Sequence, residues 1–223
     1  MSRGASNQEQ KSNLQFINFY GGKFVIRVPE GTEGAEPRAL TKGVNQGKEV
    51  FEMNYDQYGG QLIDVKTYNG KFGKEWHFFL DVSTKEDPEA KARLSLGYTD
   101  SFAARLLSAL PNIDLSKDIT LKGYRIEQKP EKPGTFKNYL TPYQSGQKIL
   151  PFYTRDEPKG MPSWEKVTIN GVETNDMSKQ FAFFEGVVNG LNFIGYKRDQ
   201  QEAGATAPAT EVNTENKPGK AAF

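Results

Sequence analysis

Between Phe51 and Tyr98 apolar residues recur at every second position, in short segments cut by Gly, Pro and Asn. A period of two places alternate side chains on opposite faces of an extended chain, so the region is expected to form β-strands with one covered face. In VFEMNYDQY, Phe51, Met53 and Tyr55 alternate with Glu52, Asn54 and Asp56. After Gly59-Gly60, QLIDVKTYN sets Ile63, Val65 and Thr67 against Lys66 and Tyr68. Asn69-Gly70, whose residues both tolerate positive φ, predicts a turn into EWHFFLDVS, where Trp76, Phe78, Leu80 and Val82 oppose His77, Phe79 and Asp81. These three strands are expected to form a meander, with ARLSLGY as a fourth strand.

One clear helix follows. Thr99, Asp100 and Ser101 are good N-caps, and SFAARLLSAL runs to Pro111 with Phe102, Ala103, Leu106, Leu107 and Leu110 on one stripe. ITLKGYRIEQK reads as a fifth strand, bent at Gly123, where apolar parity switches from Ile119 and Leu121 to Tyr124 and Ile126. NYLTPYQ, the turn SGQ and KILPFYT suggest a further ribbon. KQFAFFEGVVNGLNFIG suggests a second helix through the spacing of Phe181, Phe184, Val188 and Leu191, weakened by Gly186 and Gly190. The expected fold is mainly β: a five-stranded, partly open barrel of the OB type with one packed helix, an extra ribbon and a C-terminal helix. FINFYGGKFVIRV is a further candidate for the barrel's first strand. A generic antiparallel sandwich with one helix is the alternative architecture. Residues 1–13 and 199–223 are polar and small in composition and are expected to be unstructured tails flanking one domain over 14–198.

Composition narrows the chemistry. There is no cysteine and one histidine, His77, which excludes disulfides, thiolate nucleophiles, Cys-ligated metals and multi-His sites. Phe, at 15, outnumbers Leu, a bias toward sheets rather than helical bundles. No apolar run approaches the roughly 20 residues needed to span a bilayer, so a cytoplasmic protein with no membrane partner is expected. Charge nearly balances, at 29 basic against 28 acidic side chains, but not locally. Lys117 to Lys148 contains seven cations against three acids, an excess of +4, whereas Asp199 to Phe223 nets −2.

Cations and rings interleave at the positions expected to be exposed. Lys66 and Tyr68 share a strand face, Phe72 sits between Lys71 and Lys74 at a turn tip, Arg93 precedes Tyr98, and Lys122, Tyr124 and Arg125 lie on one strand. The following loop and ribbon add Lys129, Lys132, Phe136, Lys137, Tyr139, Tyr143 and Lys148. Single-stranded nucleic acid asks for this combination: cations to follow phosphates, and flat rings on which bases of any identity stack. Tyr and Lys are also common on any solvent-facing strand, so a structural or interaction protein with no nucleic-acid role is the alternative.

GKEWHFFLDVS, then ARLSLGYTDSFAARLLSALPNIDLSKDITLKGYRIEQ, then YLTPYQSGQKILPFYT resembles the phage-type single-stranded DNA-binding proteins with an OB fold, over roughly Val50 to Asn170. The resemblance implies a protein that coats DNA strands during replication, recombination or repair, in the cytoplasm of the host cell if it is phage-encoded. It also implies a C-terminal tail ending in Phe, here Phe223, that recruits replication or recombination proteins; acids are sparse in this one, and Lys217 and Lys220 stand near its end. Neither a cofactor nor a metal is expected, and the chain is compatible with a homo-oligomer. Asp114, Glu127 and Lys129 match the loose D-x(n)-E-x-K pattern of metal-dependent nucleases, the lesser alternative. Asp114 has a simpler use as a turn residue and Glu127 as a cross-strand partner.

Overall fold

Gly21 and Gly22, with φ of 61° and 79°, make a two-residue turn that needs positive φ at both positions and suits the twist of paired strands. They join β1 (Leu14–Tyr20) to β2 (Lys23–Val28). β3 (Glu36–Ala39), β4 (Glu49–Tyr55), β5 (Gln57–Gly70), β6 (Gly73–Asp81) and β7 (Lys91–Gly97) follow. Next come α1 (Ser101–Ala109), continued by a 3-10 turn at Leu110–Asn112, then β8 (Asp118–Glu127), β9 (Phe136–Gln144) and β10 (Gln147–Lys148). β11 (Glu165–Ile169), β12 (Val172–Asp176) and α2 (Ser178–Asn189) complete the order. The computed structural model describes residues 14–41, 45–71, 73–128, 134–169 and 171–193. The two expected tails, Phe72, Lys129, Lys132 and Phe223 lie outside the described residues.

The mainly β expectation holds, but the sheet does not have the five strands of a small barrel. It has ten, in the order β10-β9-β8-β5-β6-β7-β1-β2-β4-β3, and is not closed; β11 and β12 form a separate hairpin. Every ladder is antiparallel except β1 with β7, which is parallel. The three-strand meander is β5-β6-β7 rather than the segments beginning at Val50. VFEMNY forms β4 and pairs with β2 and β3.

Gly59-Gly60 explains the difference. The pair is not a turn but the point at which β5 passes from its β8 ladder to its β6 ladder, where neighbouring backbones crowd in. A Cβ on Gly60 would stand 2.5 Å from the Asp81 carbonyl oxygen, and one on Gly59 3.2 Å from that of Ile119. The irregularity expected at Gly123 is also elsewhere, since β8 pairs with β9 without interruption and the register shift falls between Leu62 and Asp64 of β5. Gly123 has a different task. The β1-β2 turn rests on it so closely that a Cβ would lie 2.1 Å from the Gly22 carbonyl oxygen. Ile126, beyond this contact, is exposed rather than core.

One core lies on the face carrying Ile17, Phe24, Leu62, Val65, Trp76, Phe78, Leu80, Leu94, Leu96 and Leu121. α1 begins where expected, with the Asp100 carboxylate accepting from the Phe102 amide at 2.9 Å, and buries Ala103, Leu106 and Leu107 there. α2 stops at Asn189, with Gly190 as its C-cap, and inserts Phe181, Phe184 and Val188 into this same core. With the core on one side, alternate strand residues are left on the other, and Lys66, Tyr68, Arg93, Lys122, Tyr124, Lys137, Tyr139 and Tyr143 stand there.

Candidate functional site

Lys66 and Tyr68 of β5 face outward opposite His77 and Glu75 of β6. The Lys66 ammonium lies 4.8 Å from the Phe79 ring centroid. Tyr68 stacks on the His77 imidazole, centroids 5.2 Å apart and planes inclined by 21°. On the next strands Arg93 is opposite Phe79 across β6-β7 and beside Phe16 across the parallel β7-β1 ladder, its guanidinium 4.4 Å from the Phe16 ring. Phe16 and Tyr68 are 51% and 56% exposed. Four strands thus contribute one patch of rings topped by two cations. Asp64, buried on this face opposite Phe79, offsets part of the positive charge.

His77 is only 2% exposed beneath Tyr68. Burial, then the charge of Arg93, pushes its pKa below the usual histidine value against the opposing pull of Glu75. A neutral imidazole here is a flat support for Tyr68. The ring lies 3.3 Å from the Glu75 carboxylate.

The second patch is on the β8-β9 ribbon. Register places Lys122 opposite Thr141 and Tyr124 opposite Tyr139. Lys122 lies 4.8 Å from the Tyr143 ring centroid, Arg125 3.9 Å from that of Phe136, and Lys137 5.6 Å from that of Tyr139. Arg105 of α1 approaches the Tyr139 ring as well, at 5.4 Å. The Tyr124 and Tyr143 hydroxyls meet at 2.9 Å. Tracing register from Asp81 through Gln61 to Asp118 and on to Lys122 puts Lys122, Tyr124, Lys137, Tyr139 and Tyr143 on the same outward face as the first patch, whereas Arg125 and Phe136 alternate with them and stand on the other side of the ribbon, that of Gly123 and Leu140.

Among the residues expected to act together, Lys66, Tyr68 and Arg93 meet in the first patch, and Lys122, Tyr124, Lys137, Tyr139 and Tyr143 in the second, while Arg125 and Phe136 pair with each other on the opposite face of the ribbon. Lys148 pairs with Tyr143 across β9-β10 and lines a cavity beside α1. Lys74 is placed apart: it forms an ion pair with Glu185 of α2 and lies 4.4 Å from the Tyr98 ring centroid, tying α2 to the end of the sheet. Phe16, the His77-Phe79 support and Arg105 were not expected. Phe16 could have been found, because LQFINFY carries rings on both of its alternating faces.

Other cations are already engaged. Arg38 grips the buried Glu52 carboxylate with two bonds of 2.7 Å, and Arg27 stands 3.7 Å from it. Asp114 accepts from Lys117 and Ser116, with Lys117 first in holding its carboxyl down at about 2. Glu127 is at the far end of β8, and a ten-residue strand spans about 30 Å. These two carboxylates therefore do not converge on one ion, and no cluster of three metal-ligating residues is found among the described residues. No described helix is long and apolar enough to cross a membrane. Comparison with protein-family models, curated proteins and solved structures finds no match.

Proposed function

We propose that this chain binds single-stranded DNA without regard to sequence, along the outward face that joins the two ring-and-cation patches. The observation that carries the reading is the pairing itself: on this face Lys66, Arg93, Lys122 and Lys137 each lie over a ring rather than merely near one in sequence. In such a pair the ring is held flat by the cation, and the cation head remains at the surface to meet a phosphate. Exposed Tyr68, Phe16 and Tyr124 offer π-faces for bases, and stacking does not discriminate among them. Tyrosine hydroxyls add donors for phosphate or base oxygens.

The element order supports this reading too. β5, β6 and β7 in a meander, then α1, then β8 returning to pair with β5, is the order of the OB-type sheet. In this proposal that segment is an OB-like unit enlarged by β1-β4 on one side and β9-β10 on the other. Protection of strands during replication, recombination or repair is the cellular role such binding would serve.

Competition tests it: labelled oligo-dT is bound by the protein and challenged with unlabelled single strand or unlabelled duplex of equal length. Single strand is expected to displace the probe far more effectively. Equal displacement by duplex would mean that the face reads charge alone and would overturn the proposal.

A further inference from the structure

A cavity of about 900 Å³ opens between α1, β9, the chain from Lys148 to Trp164, and the first turns of α2. Its cations come from three separate elements: Arg105 of α1, Lys148 of β10 and Arg155 of the following loop. No carboxylate occurs among the described residues lining it, in a chain whose acids and bases nearly balance. Flat rings are present as well, Tyr153 and a Trp164 that is 40% exposed.

The walls are fixed in advance. The Phe152 and Tyr153 amides both donate to the Ser108 carbonyl, at 2.7 and 3.3 Å, pinning the loop to α1. The Gln180 side-chain amide, nearly buried, donates to the Pro162 carbonyl at 2.8 Å and holds the opposite wall to α2. A preformed concavity spares a ligand the cost of ordering it. The cavity also adjoins the second ring-and-cation patch through shared residues. Arg105 lines it while lying over Tyr139, and Lys148 lines it while pairing with Tyr143.

We infer that this cavity is a nucleotide subsite, taking one or two nucleotides of a strand that leaves the β8-β9 ribbon. Phosphates meet Arg105, Lys148 and Arg155, and a base lies against Trp164 or Tyr153. The inference rests on the proposed function and adds to it a place where a base is enclosed rather than laid on an open sheet. Charge alone would also suit an acidic polypeptide; continuity with the stacking face favours the strand.

The chain has two tryptophans, and Trp76 is fully buried, so a ligand-dependent change in tryptophan emission reads Trp164. Full-length protein is titrated with oligo-dT while emission and the anisotropy of the same labelled oligomer are followed. Quenching should saturate together with anisotropy. Trp164→Ala should weaken binding about fivefold or more, the low end for a lost base stack. Joint substitution of Arg105 and Arg155 by Ala should weaken it as well, with unfolding midpoints kept because all three side chains are exposed. Saturating anisotropy with unchanged emission and unaffected variants would overturn the subsite and leave the DNA-binding face standing. No anisotropy change at all would remove both. Quenching by a poly-glutamate peptide where oligo-dT causes none would overturn the inference in favour of an acidic polypeptide.

Discussion

The hydroxyls of Tyr124 and Tyr143 lie 2.9 Å apart above the β8-β9 ladder, although register sets the two residues opposite different partners, Tyr139 and Thr120. The two rings therefore lean toward each other along the ribbon. The bond to Tyr143, and secondarily burial, raises the Tyr124 hydroxyl to about 12, so it remains a proton donor at any physiological pH.

Truncating either ring tests whether this pair is a stacking surface. Tyr124→Ala and Tyr143→Ala are each expected to lower oligo-dT affinity by about 1–3 kcal/mol, the usual loss for one stacked base. Tyr→Phe, which keeps the ring, should cost much less. Fluorescence anisotropy with labelled oligo-dT measures both. Unchanged affinity in the Ala variants would place the strand elsewhere.

Two lysines separated by eight positions are predicted to behave oppositely. Lys66→Ala should weaken DNA binding and steepen no unfolding transition, because its ammonium lies over Phe79 on the outward face. Lys74→Ala should leave affinity unchanged and lower stability by up to about 1 kcal/mol, the range for a partly exposed pair such as that with Glu185. Denaturant midpoints and binding isotherms on the two variants separate these roles, and a binding defect in Lys74→Ala would contradict them.

Much of this was legible in the sequence. The strands β5 to β8 and α1 announce themselves by period and caps, and the cation-ring alternation of Lys66-Tyr68 and Lys122-Tyr124 survives intact as geometry. What the sequence could not convey is partnership between distant strands. Gly59-Gly60 looks like a turn, and only the crowding of Asp81 and Ile119 shows it to be a crossing point. Lys74 resembles its neighbours until α2, more than a hundred residues later, supplies Glu185. The β11-β12 hairpin was missed although Asn170-Gly171 stands between its strands in the sequence, whereas Asn69 and Gly70, expected as a turn, pair with Lys74 and Gly73 in the β5-β6 ladder.

Gly123→Ala is expected to destabilise the fold by about 1–3 kcal/mol, the cost of overpacking a close contact. A methyl group there meets the Gly22 carbonyl oxygen and the Phe19 ring, and the first of these is backbone that cannot rotate away. Thermal or urea unfolding measures the loss. A neutral substitution would show that the β1-β2 turn does not seat on β8 as described.

The pH dependence of stability should carry the mark of His77, the chain's single histidine. Its folded pKa is lowered, chiefly by burial, from an ordinary value of about 6.5. Between the lowered and the ordinary value the unfolded chain binds more protons, so stability rises with pH across that window and is lost as pH falls through it. Urea midpoints should be flat above about pH 7 and decline below about pH 6.5. The decline should shrink in His77→Asn. An identical slope in both proteins would assign it to other groups.

The most direct test of the account is the affinity for oligo-dT as a function of salt. Four cations poised over rings on the outward face, with the three that line the cavity, can meet up to seven phosphates, and single strands contribute a slope of about −0.7 per phosphate, so log K against log[salt] should fall with a slope between about −2 and −5. Residual binding at high salt should weaken markedly in the Tyr124→Ala, Tyr143→Ala double variant, because stacking is not screened. No binding in low salt at micromolar protein would contradict the central claim outright.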